Sequence, residues 1–195
     1  QARVIVIGGG MAGATVAKYL RLWGDAVEVT LIDRSPVYTS NIMSSLVLTG
    51  QRTLGSLEHN HDLLRSRYGV KTVFAEVLAI DPVAPSVTLA SGQVLAADRI
   101  VLAPGIGFDA VPGLADSNLM PHAWQAGPQT TLLARQLAAM PDNGVAVLSI
   151  PKVPYRCPPG PYERACMVAA YFKQAKPRSK VLVLDANPEV QRKKA

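Results

Sequence analysis

Short apolar runs, spaced by glycine turns and by stretches of helical periodicity, organise the whole chain. RVIVI at 3–7 is a brief β-branched run of the kind a strand buried on both faces needs, and VEVTLID at 27–33 is a second. Between them stand GGGMAG and a helix-length stretch with small residues on its early face, so this region reads as a βαβ unit. Residues 35–69 read as mixed loop and helix. From 70 to 105 several short strands are separated by Pro, Ser and Gly turns, and the last, Ile100 to Ala103, reads as a buried strand that stops at Pro104 and Gly105. PHAWQAGPQTTLLARQLAAM at 121–140 predicts a loop and then an amphipathic helix, with Leu132, Leu133, Leu137 and Met140 at helical spacing. GVAVLSI and KVLVLD again read as buried strands with a helix between them, which opens a second βαβ unit near residue 142.

These elements predict an α/β fold. Residues 1–113 make a first Rossmann-like domain, 114–141 a linker and helix, and 142–195 the start of a second nucleotide-binding-like domain. Two strands and one helix are too few for a parallel sheet covered on both faces, so the chain is expected to be the N-terminal part of a longer protein.

Composition narrows the function classes. With 49% hydrophobic residues and 17% charged, the chain can bury a core, and it holds no apolar run long enough to predict a membrane span. The formal charge of +6 comes from scattered Lys and Arg, apart from RKK at 192–194, and no basic stripe interleaved with aromatics predicts nucleic-acid binding. Two cysteines are too few for a disulfide framework.

The first turn carries the clearest chemistry. Gly8, Gly10 and Gly13 give G-x-G-x-x-G directly after a strand, and Asp33 ends the second strand twenty residues beyond Gly13. In that context Gly8 tightens the turn, Gly10 lets the backbone approach a pyrophosphate, and Gly13 lets the helix sit on the strand. The helix N-terminus supplies N–H groups and partial positive charge, and Asp33 accepts from ribose hydroxyls. A turn serving packing alone is the competing reading; strand, turn, helix, second strand and terminal acid at the expected offsets favour a dinucleotide.

The corresponding second turn is different. After Ile150 come Pro151, Pro154, Pro158, Pro159 and Pro161, with Gly160 the single glycine, so this loop does not wrap a pyrophosphate in the usual way and NAD is disfavoured. Asp185, ending the strand that follows, reads as inherited topology or a cap. The loop instead offers Cys157, held by prolines before a helix whose first residue is taken as Pro161. The helix N-terminus and Arg156 favour thiolate, and Glu163 in the first helical turn is placed to hold or deliver a proton. A buried, inert Cys157 with Glu163 complementing the helix dipole is the alternative. Cys166 shares helical spacing with Tyr162, Ala169 and Phe172 and is expected to pack, without bonding to Cys157. EHNHD at 58–62 reads as a solvated segment, since a metal site needs further ligands, and no metal is expected. His122 and Trp124 are expected to pack the linker against the first domain.

The strand ending in VLAPG resembles the second FAD motif of flavoproteins with two dinucleotide-binding domains, which turns the expected nucleotide from NAD to FAD. PHAWQAGPQT and RCPPGPYERA, with the opening glycine turn and VLAPGI between, resemble the flavoprotein subunit of flavocytochrome c sulfide dehydrogenases along the whole chain. The resemblance implies a glutathione-reductase-like fold and a periplasmic protein that oxidises sulfide beside FAD. It also implies a c-type cytochrome partner carrying the haem. Cys157 matches the first cysteine of the family's redox pair, whose second member then lies beyond Ala195, and Glu163 matches a glutamate proposed to handle protons. Asn41 stands where well-known members attach the flavin covalently through a cysteine, so FAD is expected to be held noncovalently. The expected FAD contacts are Gly8, Gly10, Met11, Ala12 and Gly13 in the turn, and Asp33 and Arg34 after the second strand. Asn41, Val77 and Ala103, Pro104 and Gly105 complete the set. The alternatives are a sulfide:quinone or pyridine-nucleotide disulfide oxidoreductase, or an inert nucleotide-binding fragment.

Overall fold

The computed structural model describes residues 1–114 and 116–190, which leaves the basic RKK at 192–194 outside the described residues. In chain order the elements are β1 (Ala2–Ile7), α1 (Met11–Trp23), β2 (Val27–Asp33), β3 (Val37–Thr39) and α2 (Ser44–Leu48). A 3-10 turn (Leu54–Leu57) leads to β4 (Glu58–Asn60), α3 (Asp62–Tyr68), β5 (Lys71–Phe74), β6 (Val77–Asp81), β7 (Ser86–Leu89), β8 (Val94–Ala96) and β9 (Arg99–Leu102). The last elements are α4 (Pro128–Ala139), β10 (Val145–Ile150), α5 (Gly160–Ala175) and β11 (Lys180–Asp185). They gather into two compact units, one of Gln1–Ser40 with Glu58–Pro112, the other of Asn41–Leu57 with Gly113–Ala195.

In the first unit a parallel sheet runs β5-β2-β1-β9, with Val4 opposite Val29 and Ile7 opposite Ile32 across the central pair. The two-residue period of β1 divides its side chains between two layers. Val4 and Val6 pack with Val29, Leu31 and Ala17 of α1, while Ile5 and Ile7 pack with Ile32 and with Val87 and Leu89 of the antiparallel meander β6-β7-β8. The unbroken apolar run Val4–Ile7 follows from burial on both faces. β9 departs from expectation: it lies at the sheet edge, paired with β1 alone, and its residues are half-buried or exposed, although Ile100 and Val101 each pack on one of the two core layers. The 35–69 region also contains an antiparallel pair, β3 against β4, whose three-residue strands are too short to leave a periodic trace.

In the second unit β10 and β11 pair in parallel, Val145 opposite Lys180 and Ile150 opposite Asp185. Leu48 of α2, Leu137 of α4, and Val168 and Phe172 of α5 make the core. Both strands, expected to be buried, expose much of their surface, because a two-stranded sheet with one helix covers only one face.

Candidate functional site

Two places in the chain gather the residues that the sequence singles out, one in each unit. In the first, β1 ends at Ile7 and the chain turns through Gly8, Gly9 and Gly10 into α1. Gly8 has φ +99°, and a Cβ on it would overlap the carbonyl of Ala103. A Cβ on Gly13 would overlap Gly8 O, so helix and turn touch through that glycine. Both demands come from the fold itself, and the first brings the turn after β9, with Ala103 and Pro104, directly onto Gly8. Gly10 is different. Its φ is −76°, and a Cβ there would meet nothing nearer than the Tyr38 ring at 3.4 Å, an ordinary contact. No packing constraint requires glycine at that position, whereas a pyrophosphate lying against the backbone does.

α1 begins at Met11 with Gly10 as its cap, and its first ladder bond runs from Ala14 N–H to Gly10 O. No acidic residue occupies the first turn, so the N–H groups there keep their attraction for an anion. Met11, Ala12, Arg34, Pro104 and Gly105 are exposed, and Ala103, Asp33 and Val77 half-buried. Asp33 accepts from Gly9 N–H at 2.5 Å and from Ser35 N–H at 2.8 Å, one bond on each carboxylate oxygen. Each oxygen keeps a lone pair for a ribose hydroxyl.

The sequence reading misses His61. Expected within a solvated segment, it is 5% exposed, with Nε2 2.8 Å from Gly9 O, while its neighbour His59 is exposed. The alternating polar pattern EHNHD conceals this, because β4 and the start of α3 fold His61 inward as a single side chain. A Cβ on Gly9 would overlap His61 Nε2, which gives the middle glycine of GGG a role as well.

In the second unit the loop after β10 carries Cys157, exposed and with φ +58°, a conformation that costs a non-glycine residue roughly 1–2 kcal/mol. Its carbonyl accepts from Gly160 N–H at 2.9 Å, and α5 starts at Gly160, one residue before the expected Pro161. A Cβ on Gly160 would stand 2.7 Å from the Trp124 ring and 3.1 Å from Cys157 Sγ. The glycine therefore makes room for both, with the sulfur at the head of the helix. Trp124 Nε1 donates to Arg156 O at 3.2 Å, and the Arg156 guanidinium donates back to Trp124 O. Arg164, 6% exposed, stacks 4.7 Å from the Trp124 ring centroid and donates to His122 O at 3.0 Å and Ala123 O at 2.8 Å. Burial pulls its pKa down to about 10, so it remains a cation at neutral pH, and burial, with the Arg164 charge second, lowers the pKa of His122. The PHAW segment, expected to pack on the first domain, is thus clamped to the cysteine loop and α5 of its own unit.

Glu163 is exposed on the first turn of α5, its N–H bonded to Pro159 O at 3.1 Å. With Gly160 N–H on Cys157 O and no N–H on Pro161, the head of α5 lacks the row of donors a pyrophosphate takes. Asp185 binds Tyr162 OH at 2.5 Å and both the N–H and side-chain amide of Asn187, which accounts for its carboxyl lying below the usual range. Cys166, expected to pack, is exposed. The buried face of α5 is Gly160, Arg164, Ala165, Val168 and Phe172, and position 166 points away from it. Asn41 accepts from Ser44, N–H to its carbonyl and hydroxyl to both its oxygens.

Residues 2–137 match the family model of the pyridine nucleotide-disulphide oxidoreductases. The chain belongs to that family. Its members are FAD-binding flavoprotein oxidoreductases with the Rossmann-like fold seen here. Residues 130–195 match the model for the central part of the sulfide dehydrogenase [flavocytochrome c] flavoprotein chain. A sulfide dehydrogenase [flavocytochrome c] flavoprotein chain of Chlorobaculum thiosulfatiphilum is 40% identical over 45 residues, 23% of this chain and 94% of that sequence. The ferredoxin–NAD(+) reductase component of a Pseudomonas putida p-cumate 2,3-dioxygenase system is 33% identical over 110 residues, 53% of this chain and 26% of that protein. Among solved structures, the sulfide:quinone oxidoreductase of Aquifex aeolicus superposes with TM-score 0.78 at 24% identity, over 97% of this chain and 44% of that one. The chain therefore spans about a quarter of the Pseudomonas reductase and under half of the Aquifex protein. Among the described residues no helix is long and apolar enough to cross a membrane.

Proposed function

We propose that this chain is the FAD-binding part of a sulfide-oxidising flavoprotein in which Cys157 takes the sulfur and a c-type cytochrome takes the electrons. The observation that carries the cofactor half is Gly10, a glycine that the fold does not need and an approaching pyrophosphate does. FAD, when bound, supplies a two-electron acceptor that can return electrons singly. Gly8, Gly10 and Gly13, with Met11 and Ala12 at the helix head, hold its pyrophosphate, and Asp33 beside Arg34 takes the ribose hydroxyls. Val77, Asn41 and the turn Ala103, Pro104, Gly105 complete the contacts. Asn41 offers no thiol, so the cofactor is held without a covalent bond.

Cys157 works as half of a disulfide whose other cysteine the family resemblance places after Ala195. Hydrosulfide attacks Cys157 Sγ, the S–S bond breaks, a persulfide stays on Cys157, and the second cysteine leaves as a thiolate. As that thiolate closes onto the persulfide's outer sulfur, the electron pair passes to FAD, when bound, and one extra sulfur remains between the two cysteines. The Trp124, Arg156 and Arg164 clamp holds the sulfur at the exposed head of α5, and Glu163, one turn into the helix, accepts the hydrosulfide proton. The proline-filled loop, with Gly160 N–H already bonded to Cys157 O, favours this chemistry over hydride exchange with NAD. Likeness to sulfide dehydrogenase flavoprotein sequence over the cysteine region supports the substrate, the cytochrome partner and a periplasmic location. Adding sulfide to the purified full protein without oxygen tests the reading. Bleaching of the visible flavin band supports it, and an unchanged flavin spectrum overturns it.

A further inference from the structure

We propose that His61 is a positioning residue for the cofactor, setting the direction of the Gly10 N–H that meets the pyrophosphate; the proposal rests on the FAD reading above. Gly9 is held at both ends: its N–H donates to Asp33 at 2.5 Å, and its carbonyl lies 2.8 Å from His61 Nε2. A carbonyl only accepts, so Nε2 carries the proton and donates. The peptide joining Gly9 to Gly10 is planar and trans, so its C=O and N–H point in opposite directions. Drawing Gly9 O toward a buried imidazole therefore turns Gly10 N–H outward, away from the protein interior, at the cap of α1. A Cβ on Gly10 would meet nothing nearer than the Tyr38 ring at 3.4 Å, so this position lacks the backbone crowding found at Gly8 and Gly13.

The imidazole is itself fixed. It is 5% exposed, its ring centroid stands 5.9 Å from that of Phe74, and Nδ1 lies 3.4 Å from Pro36 O. A three-glycine turn has much backbone freedom to lose on ordering. A rigid donor behind it removes that freedom before the cofactor arrives, which is preorganisation of the kind that raises affinity without adding a contact.

The test is FAD binding by the apo form of the full protein, followed by quenching of flavin fluorescence, with thermal unfolding read in parallel. His61→Ala and His61→Phe, which lack a donor, are expected to weaken FAD by about tenfold, the scale of one hydrogen bond. His61→Gln, whose amide can donate to Gly9 O, is expected to recover most of the affinity. Wild-type affinity in both donorless variants overturns the proposal, as does equal weakening in all three variants, which would assign His61 to packing alone. A wild-type protein that fails to bind FAD overturns the FAD reading itself and takes this proposal with it.

Discussion

The three fingerprint glycines are not equivalent, and the difference separates folding from binding. Gly13→Ala drives a Cβ into the backbone carbonyl of Gly8, so unfolding free energy should fall by at least about 1–3 kcal/mol, measured by chemical denaturation. Gly10→Ala meets only an ordinary contact with Tyr38, so it should melt like wild type and yet bind FAD at least tenfold more weakly, on the order of 1.4 kcal/mol. A Gly10→Ala protein that binds FAD normally would return the turn to the packing reading. At this scale the sequence shows the glycines and Asp33 plainly, because their spacing along one turn is local. It does not show His61, which reaches Gly9 from fifty-two positions away along the chain, a separation no local pattern encodes.

Helix α5 shows how an element can be placed correctly and faced wrongly. Its position follows from Pro161 and the apolar residues around it, but apolar counting selects Tyr162, Cys166, Ala169 and Phe172 for the core, and of these only Phe172 is buried, beside Gly160, Arg164, Ala165 and Val168. Arginine is rarely read as interior, yet its guanidinium here meets two carbonyls and the face of Trp124. Arg164→Ala should therefore cost on the order of 2–4 kcal/mol in denaturant unfolding, since two carbonyls lose their donors. Asp185 ties the same helix to β11 through Tyr162. Its folded pKa is depressed by Tyr162 and Asn187, so the stability it lends is complete above the ordinary carboxylate pKa of about 4 and is lost as pH falls through the lower folded value. Asp185→Asn should flatten that part of the acid limb in a series of melting curves; an acid limb identical to wild type would remove Asp185 from the account.

Across the whole molecule, the α/β class and both βαβ patterns are legible from periodicity, and the grouping of segments is not. Residues Asn41–Leu57 gather with the second unit because Leu48 of a five-residue helix packs on α4 and α5, and so short an element leaves little periodic trace. The exposed apolar side chains of β10 and β11, among them Val145, Val147 and Leu184, likewise defy a reading that takes every apolar run as buried. Acid denaturation of the full protein is expected to release all of its flavin into the supernatant, since Asn41 offers no thiol; yellow colour remaining with the precipitated chain would show a covalent link elsewhere.

The most direct measurement exposes the oxidised full protein to sulfide without oxygen or electron acceptor, traps its thiols by alkylation, and weighs the tryptic peptide from Cys157 to Arg164. The account predicts one added sulfur on Cys157, bridging it to the second cysteine, in step with flavin reduction. Flavin reduced while Cys157 carries no extra sulfur would contradict it.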